Sequence, residues 1–193
     1  MSFFKKLFNI SNKEEEIKEQ EVNLSLDDSF VHYFIEKGGK FIYCTTIKEV
    51  NNSLQNIAKE NNWDEITCFD NDLIGLLRKN KLAANPSFLE EIPFFTTCEH
   101  LIADNGDILF SSNQLNSHKI ATLTENFIVY ATTSQLVKNT GEGLTGIKTN
   151  FKGNIPTNIS AIKNYTISEN DDNFLNYGNS NSKNLYLLLF EDL

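Results

Sequence analysis

Residues 38–77, GGKFIYCTTIKEVNNSLQNIAKENNWDEITCFDNDLIGLL, contain strand-then-helix twice in succession. Lys40–Cys44, KFIYC, is a short apolar run rich in β-branched and aromatic residues, which predicts a strand. Thr45 or Thr46 then caps a helix, because Ile47, Val50, Leu54, Ile57 and Ala58 recur at helical spacing. Asn61-Asn62 ends that helix. Glu65–Phe69, EITCF, repeats the strand pattern. Asp70 or Asn71 starts a second helix carrying Leu73, Ile74, Leu76 and Leu77. Strands alternating with helices predict an α/β fold with a largely parallel sheet flanked by helices.

Upstream, Asp27-Asp28-Ser29 reads as a helix start for Phe30, Val31, Phe34 and Ile35, and Gly38-Gly39 as its stop. Residues 1–24 differ in character. Phe3, Phe4, Leu7 and Phe8 recur at helical spacing opposite Lys5 and Lys6, and Glu14-Glu15-Glu16 follows. This predicts an N-terminal amphipathic arm that mediates oligomer or partner contact; a membrane-surface anchor is the alternative, weakened by having only two lysines beside an acidic run. Residues 25–193 are read as one domain.

Downstream, residues 81–93 lie between helix and strand and read as a connection. PFFTTCEHLIA resumes strand character. Asn105-Gly106 between apolar stretches predicts a type I′ turn with positive φ at both positions, returning into Asp107–Ser111. Asn126–Thr132 is a further strand, followed by a helical turn through Gln135–Val137. Thr157–Lys163 is a weak strand, and residues 164–184, rich in Asn, Asp and Ser, a long surface loop. Leu185–Phe190, apolar on both faces, is a central buried strand.

The chain of 193 residues has net charge -9, with 17 basic against 26 acidic side chains. That balance opposes nucleic-acid phosphate and anionic lipid. Arg78 is the sole arginine, so no multi-arginine anion clamp can form. Cys44, Cys68 and Cys98 are three scattered cysteines, too few for a four-thiolate cluster or zinc site. They predict reduced core thiols, and cytoplasmic location is the expectation. No apolar run is long enough for a transmembrane segment, and the amino terminus lacks a secretory signal. No cofactor and no metal are expected.

Three groups of residues invite chemical readings. Gly141, Gly143 and Gly146 match G-x-G-x-x-G, but no strand precedes them directly and IKTNFKGNIP after them lacks helical pattern. They read as a flexible loop rather than a dinucleotide site. Cys98-Glu99-His100 would put Cys98 and His100 on one face of a strand; a buried thiol beside a hydrogen-bonded imidazole is preferred to a nucleophile–base pair. Asp104 and Asp107 flank the turn, where they suit either local turn bonding or acid–base work.

Several segments, in order, resemble the lactate-utilization (LUD) domain family. The helix, Gly38-Gly39 and strand are similar to its opening unit. Thr96–Leu109, TTCEHLIADNGDIL, resembles a T-G-x-x-x-x-I-A-E-T-G-T-L stretch. NFIVYA, IPTNISAI and the terminal KNLYLLLFEDL are similar to later family segments, and the resemblance spans residues 25–193. Where the family has Glu-Thr-Gly-Thr this chain has Asp104-Asn105-Gly106-Asp107. NYTISENDD, residues 164–172, replaces its G-P-S-R-T-A-D-I-E.

The resemblance implies a fold like the sugar-phosphate isomerase and CoA-transferase group. It also implies a part in oxidising L-lactate to pyruvate beside iron–sulfur partner proteins, as a stand-alone member without cluster cysteines. Candidate ligand-binding residues are then Thr96, Asp104, Asn105, Gly106 and Ser168. Two functions follow. One is an accessory, non-redox subunit or small-carboxylate-binding module of a lactate-utilization system. The other is an isomerase-like or transferase-like enzyme with Asp104 as acid or base.

Overall fold

A computed structural model describes residues 25–166 and 181–192. The arm 1–24 and the candidate Ser168 lie outside the described residues. Helix α1, Leu26–Glu36, leads into strand β1, Lys40–Cys44. The helix begins earlier than Asp27-Asp28-Ser29 implies. Ser25 is the cap, its hydroxyl oxygen accepting from the Asp28 amide at 3.3 Å. Asp27 and Asp28 fall instead in the first turn, at the positive end of the helix dipole.

Helix α2, Ile47–Asn61, is capped by Thr46 and closed by the left-handed Asn62. Strand β2, Glu65–Thr67, precedes helix α3, Asn71–Lys79, whose cap Asp70 accepts from the Asp72 and Leu73 amides. Residues 81–93 are more than a connection. Ala83–Asn85 forms strand β3, paired in parallel with β2. Its sequence, AAN, has little strand propensity, so pairing rather than local preference makes the strand.

The stretch PFFTTCEHLIA does not form one strand. Phe94–Thr96 is strand β4 in the main sheet, and His100–Ile102 is strand β5 in a second sheet. Cys98 therefore lies in the bend between them, outside the strand that carries His100. Strand β6, Asp107–Phe110, returns antiparallel to β5. Strand β7, Asn126–Thr132, is followed by a 3-10 turn, Thr133–Gln135, and strand β8, Leu136–Val137. Leu136 and Val137 thus extend where a helical turn was expected. Helix α4, Thr140–Asn150, strand β9, Ser160–Ile162, and strand β10, Asn184–Phe190, complete the described chain.

The main sheet has six strands in the order β1-β10-β7-β4-β2-β3, and every pair in it is parallel. The second sheet, β8-β5-β6-β9, has four strands and is mixed. Successive side chains of β7 and β10 point to opposite faces. Ile128, Tyr186 and Leu188 pack with α2 and α3 on one face. Phe127, Val129, Leu185, Leu187 and Leu189 pack with α1 and the second sheet on the other. Burial on both faces explains the unbroken apolar run of β10. Truncating Leu187 or Leu188, both fully buried, to alanine is expected to cost about 2–5 kcal/mol.

The three glycines at 141, 143 and 146 form no loop; they lie within α4. Asn139 caps this helix by accepting from the Glu142 amide at 3.0 Å, and the Glu142 carboxylate accepts from the Lys138 amide. Each glycine costs the helix roughly 1 kcal/mol relative to alanine. The return is close packing. A Cβ on Gly146 would stand 2.9 Å from His100 Nε2, and one on Gly143 3.0 Å from Leu109 Cδ1.

Candidate functional site at the carboxyl edge of the main sheet

All strands of the main sheet end on one edge, and the chain leaves that edge toward opposite faces. After β1 and β2 it enters α2 and α3; after β4 and β7 it enters the second sheet. In open parallel sheets this divergence opens a crevice at the carboxyl ends of the strands, where ligands bind.

The residues at that edge are polar and tied together. Asp192, just past β10, accepts from Thr133 Oγ1 at 2.7 Å, the Ser134 amide at 3.0 Å and Ser134 Oγ at 2.6 Å. These donors hold its carboxyl far below the usual carboxylate range. Gln135 accepts from the Thr132 amide at 2.8 Å, and its Nε2 donates to the carbonyls of Cys98 and Glu99. Glu99 accepts from Ser111 Oγ at 2.6 Å and Gln114 Nε2 at 2.9 Å. Gln114 Oε1 in turn accepts from the Ser111 amide at 2.8 Å. Gln135 thus links the end of β7 to the bend after β4. The network offers hydroxyls, amides and carboxylates, and the one ion pair among the described residues lies elsewhere, between Lys37 and Asp107.

Of the thiols, Cys98 touches this network, its Sγ accepting from Gln135 Nε2 at 3.8 Å. Cys44 and Cys68 are buried in the α2–α3 cluster and Cys98 in the opposite one. Burial pushes the Cys68 thiol up to about 11 and raises Cys44 and Cys98 as well. Among the described residues, no three His, Cys, Asp or Glu side chains group as a metal site would require. No helix among them is long and apolar enough to cross a membrane.

The turn 103–106 is a second polar centre. Its form differs from the expected type I′: Gly106 has φ 70°, and Asn105 is not in the left-handed region. Ile102 pairs with Asp107, so four residues span the loop. The Gly106 and Asn105 amides both donate to the Ile102 carbonyl, at 2.8 and 3.4 Å. Only the last loop residue then needs positive φ. Asn105 turns its side chain onto Asp107, accepting from that amide at 3.0 Å. Asp107, 4% exposed, bonds Lys37 Nζ at 2.8 Å. Tyr165 donates its hydroxyl to the Gly106 carbonyl at 2.6 Å. Asp104 faces solvent.

A model of the LUD domain family matches residues 28–190. The chain belongs to the LUD domain family. The LUD fold is also seen in a crystal structure of a DUF162 family protein from Deinococcus radiodurans. It aligns at TM-score 0.60 with 12% identity, covering 87% of this chain and 99% of that one. No curated protein matches the sequence.

In this LUD domain the segment Thr96–Leu109 spans two centres. Thr96 is buried at the end of β4, its hydroxyl donating to the Gln114 carbonyl at 3.4 Å, and so belongs to the edge network. Asp104, Asn105 and Gly106 belong to the turn beneath α1. Hydrogen bonds join Thr96 to the first centre and Asn105 to the second, and among the described residues none runs between them. Ser111, Gln114, Gln135 and Asp192 are not among the residues expected from sequence, and Glu99 enters there only as the residue between Cys98 and His100. Their signal was positional: TTCE and TTSQ each follow directly on an apolar strand.

Proposed function

We propose that this LUD protein is an accessory, non-redox component of an L-lactate-oxidising system, working beside iron–sulfur proteins that carry the electrons. Membership of the LUD family supports the lactate context. The placement of the thiols carries the non-redox part. Three cysteines divided between opposite faces of a sheet cannot converge on one cluster. With thiol pKa values raised by burial, they are also poor thiolate ligands at neutral pH. The polar edge from Thr96 to Asp192 supplies the surface at which a small hydroxyl-bearing molecule or a partner would be met. The hydroxyls and amides of this edge already donate within the network, so a ligand would have to displace one of these bonds, and no cationic side chain stands in it.

The test is complementation in the native cell. Loss of the protein should abolish growth on L-lactate, and the variant Cys44→Ala, Cys68→Ala, Cys98→Ala, if folded, should restore it. Iron–sulfur proteins should co-isolate with the restoring variant. A folded cysteine-free protein that fails to restore growth would overturn the non-redox reading. Asp104→Asn separates the alternative: the acid–base enzyme reading requires it to abolish function in a stable protein, whereas the accessory reading requires it to be silent.

A further inference from the structure

The two edges of the main sheet are built differently. Strand β3 is short, Ala83–Asn85, and Pro86 follows it at once, a common way of making an edge unfit for pairing. Strand β1 is longer, Lys40–Cys44, pairs in unbroken register with β10 and contains neither proline nor bulge. The Glu191 amide donates to the Cys44 carbonyl at 2.9 Å. Backbone direction alternates along a strand, so Lys40, Ile42 and Cys44 turn their amides and carbonyls toward β10, and Phe41 and Tyr43 turn theirs outward. Among the described residues no strand pairs with this edge, and apolar surface surrounds it. Of the seven large exposed hydrophobics in the described chain, Tyr43 lies on β1 and Leu26, Ile35 and Ile47 on the two helices that pack beside it.

We propose that β1 is a self-association edge, pairing antiparallel with β1 of a second copy of this chain about a two-fold axis at Ile42. The register is set by the outward groups. Phe41 comes opposite the partner's Tyr43, each giving and accepting a backbone bond, and the axis repeats the pair. Two six-stranded sheets then become one continuous sheet of twelve. Charge favours the same arrangement. Lys40 comes opposite the partner's Cys44. Glu49 holds that end of the strand, its Oε2 accepting from the Thr45 amide at 2.7 Å. Both side chains are on the α2 face, since Lys40 Nζ reaches Tyr186, which packs there. Each copy thus brings a lysine, which in the single chain lies over Tyr186, to the same side as the other's glutamate, toward which it swings on pairing. An unrelated strand would not share this symmetry, which is why a second copy is the occupant.

Sedimentation of the full chain across a dilution series is expected to show a species of twice the 22.0 kDa monomer mass. Lys40→Glu and Glu49→Lys should each weaken the dimer roughly tenfold or more, because each places like charges together twice. Mixing the two variants should restore it, since the mixed pair has both contacts attractive. Tyr43→Pro, which removes an outward amide and leaves the β10 ladder intact, should also give monomer with unchanged circular dichroism. A wild-type monomer throughout the series would overturn the proposal. So would a dimer that survives Lys40→Glu and Tyr43→Pro; if such a dimer vanished on removal of residues 1–24, the contact would belong to the arm.

Discussion

Gly106 lies so close beneath Phe34 that a Cβ built on it would stand 2.5 Å from the Phe34 backbone nitrogen. The β5–β6 loop is thereby pressed against the second half of α1. Gly106 also has φ 70°, where a β-branched residue is strained. Gly106→Val is expected to cost about 3 kcal/mol or more, from the strained φ and the backbone collision together. Thermal melting should register a fall on the order of 6–12 °C. An unchanged melting temperature would mean that the loop and helix part easily.

The two aspartates of this loop are expected to behave oppositely. Asp107 is buried and bonded to Lys37, whose side chain is 28% exposed. Asp107→Asn removes the charge from that contact and should cost about 1–3 kcal/mol in urea unfolding. Asp104 is exposed, and Asp104→Asn should shift stability by less than about 0.5 kcal/mol. Equal effects of the two changes would contradict the positions seen here.

The buried thiols carry a pH signature. Cys68 ionises near 9.0 when unfolded and near 11 when folded. The folded state therefore keeps its proton where the unfolded state has lost it. Its contribution is whole below 9.0 and is lost as the pH rises toward 11. Alkylation reports the same thing. At pH 8 roughly one Cys68 in a thousand is thiolate in the native protein, against about one in ten for an unperturbed thiol. Mass spectrometry should show native Cys68 unmodified after a treatment that labels the denatured chain fully.

Asp192 is the acid counterpart. Hydroxyls of Thr133 and Ser134 lower its folded value beneath 3.8. What it adds to stability is present above 3.8 and disappears as the pH falls through the folded value, a small effect for an exposed group. Carbon NMR titration should find it still ionised where other aspartates are protonated. Ser134→Ala with Thr133→Val should bring it back toward the ordinary range; if it stays low, other donors hold it.

Local order was legible where one short segment contains its own physics. Thr46 and Asp70 cap their helices through amides within three residues, and Asn62 closes α2 by its own backbone. The doubly apolar run of β10 declared its burial on both faces. Strand β3 and helix α4 were not legible. Ala83–Asn85 becomes a strand only because β2 offers it a ladder. Gly143 and Gly146 are carried in α4 because His100 and Leu109 pack where their side chains would be.

The candidate site divides in the same way. Sequence alone determined the α/β alternation and the buried thiols, since each depends on residues adjacent in the chain. It placed Thr96 with Asp104, eight positions apart, as one ligand site. Only the tertiary structure separated them, because the bend at Cys98 sends the chain from one sheet into another. Thr96 is left with Gln114 at the sheet edge, and Asn105 with Asp107 and Lys37 under α1. The meeting of Thr133 and Ser134 with Asp192, 58 residues and more away, is likewise a consequence of β7 and β10 lying side by side. Hydrogen bonds between distant residues are set by strand order, which no local pattern encodes.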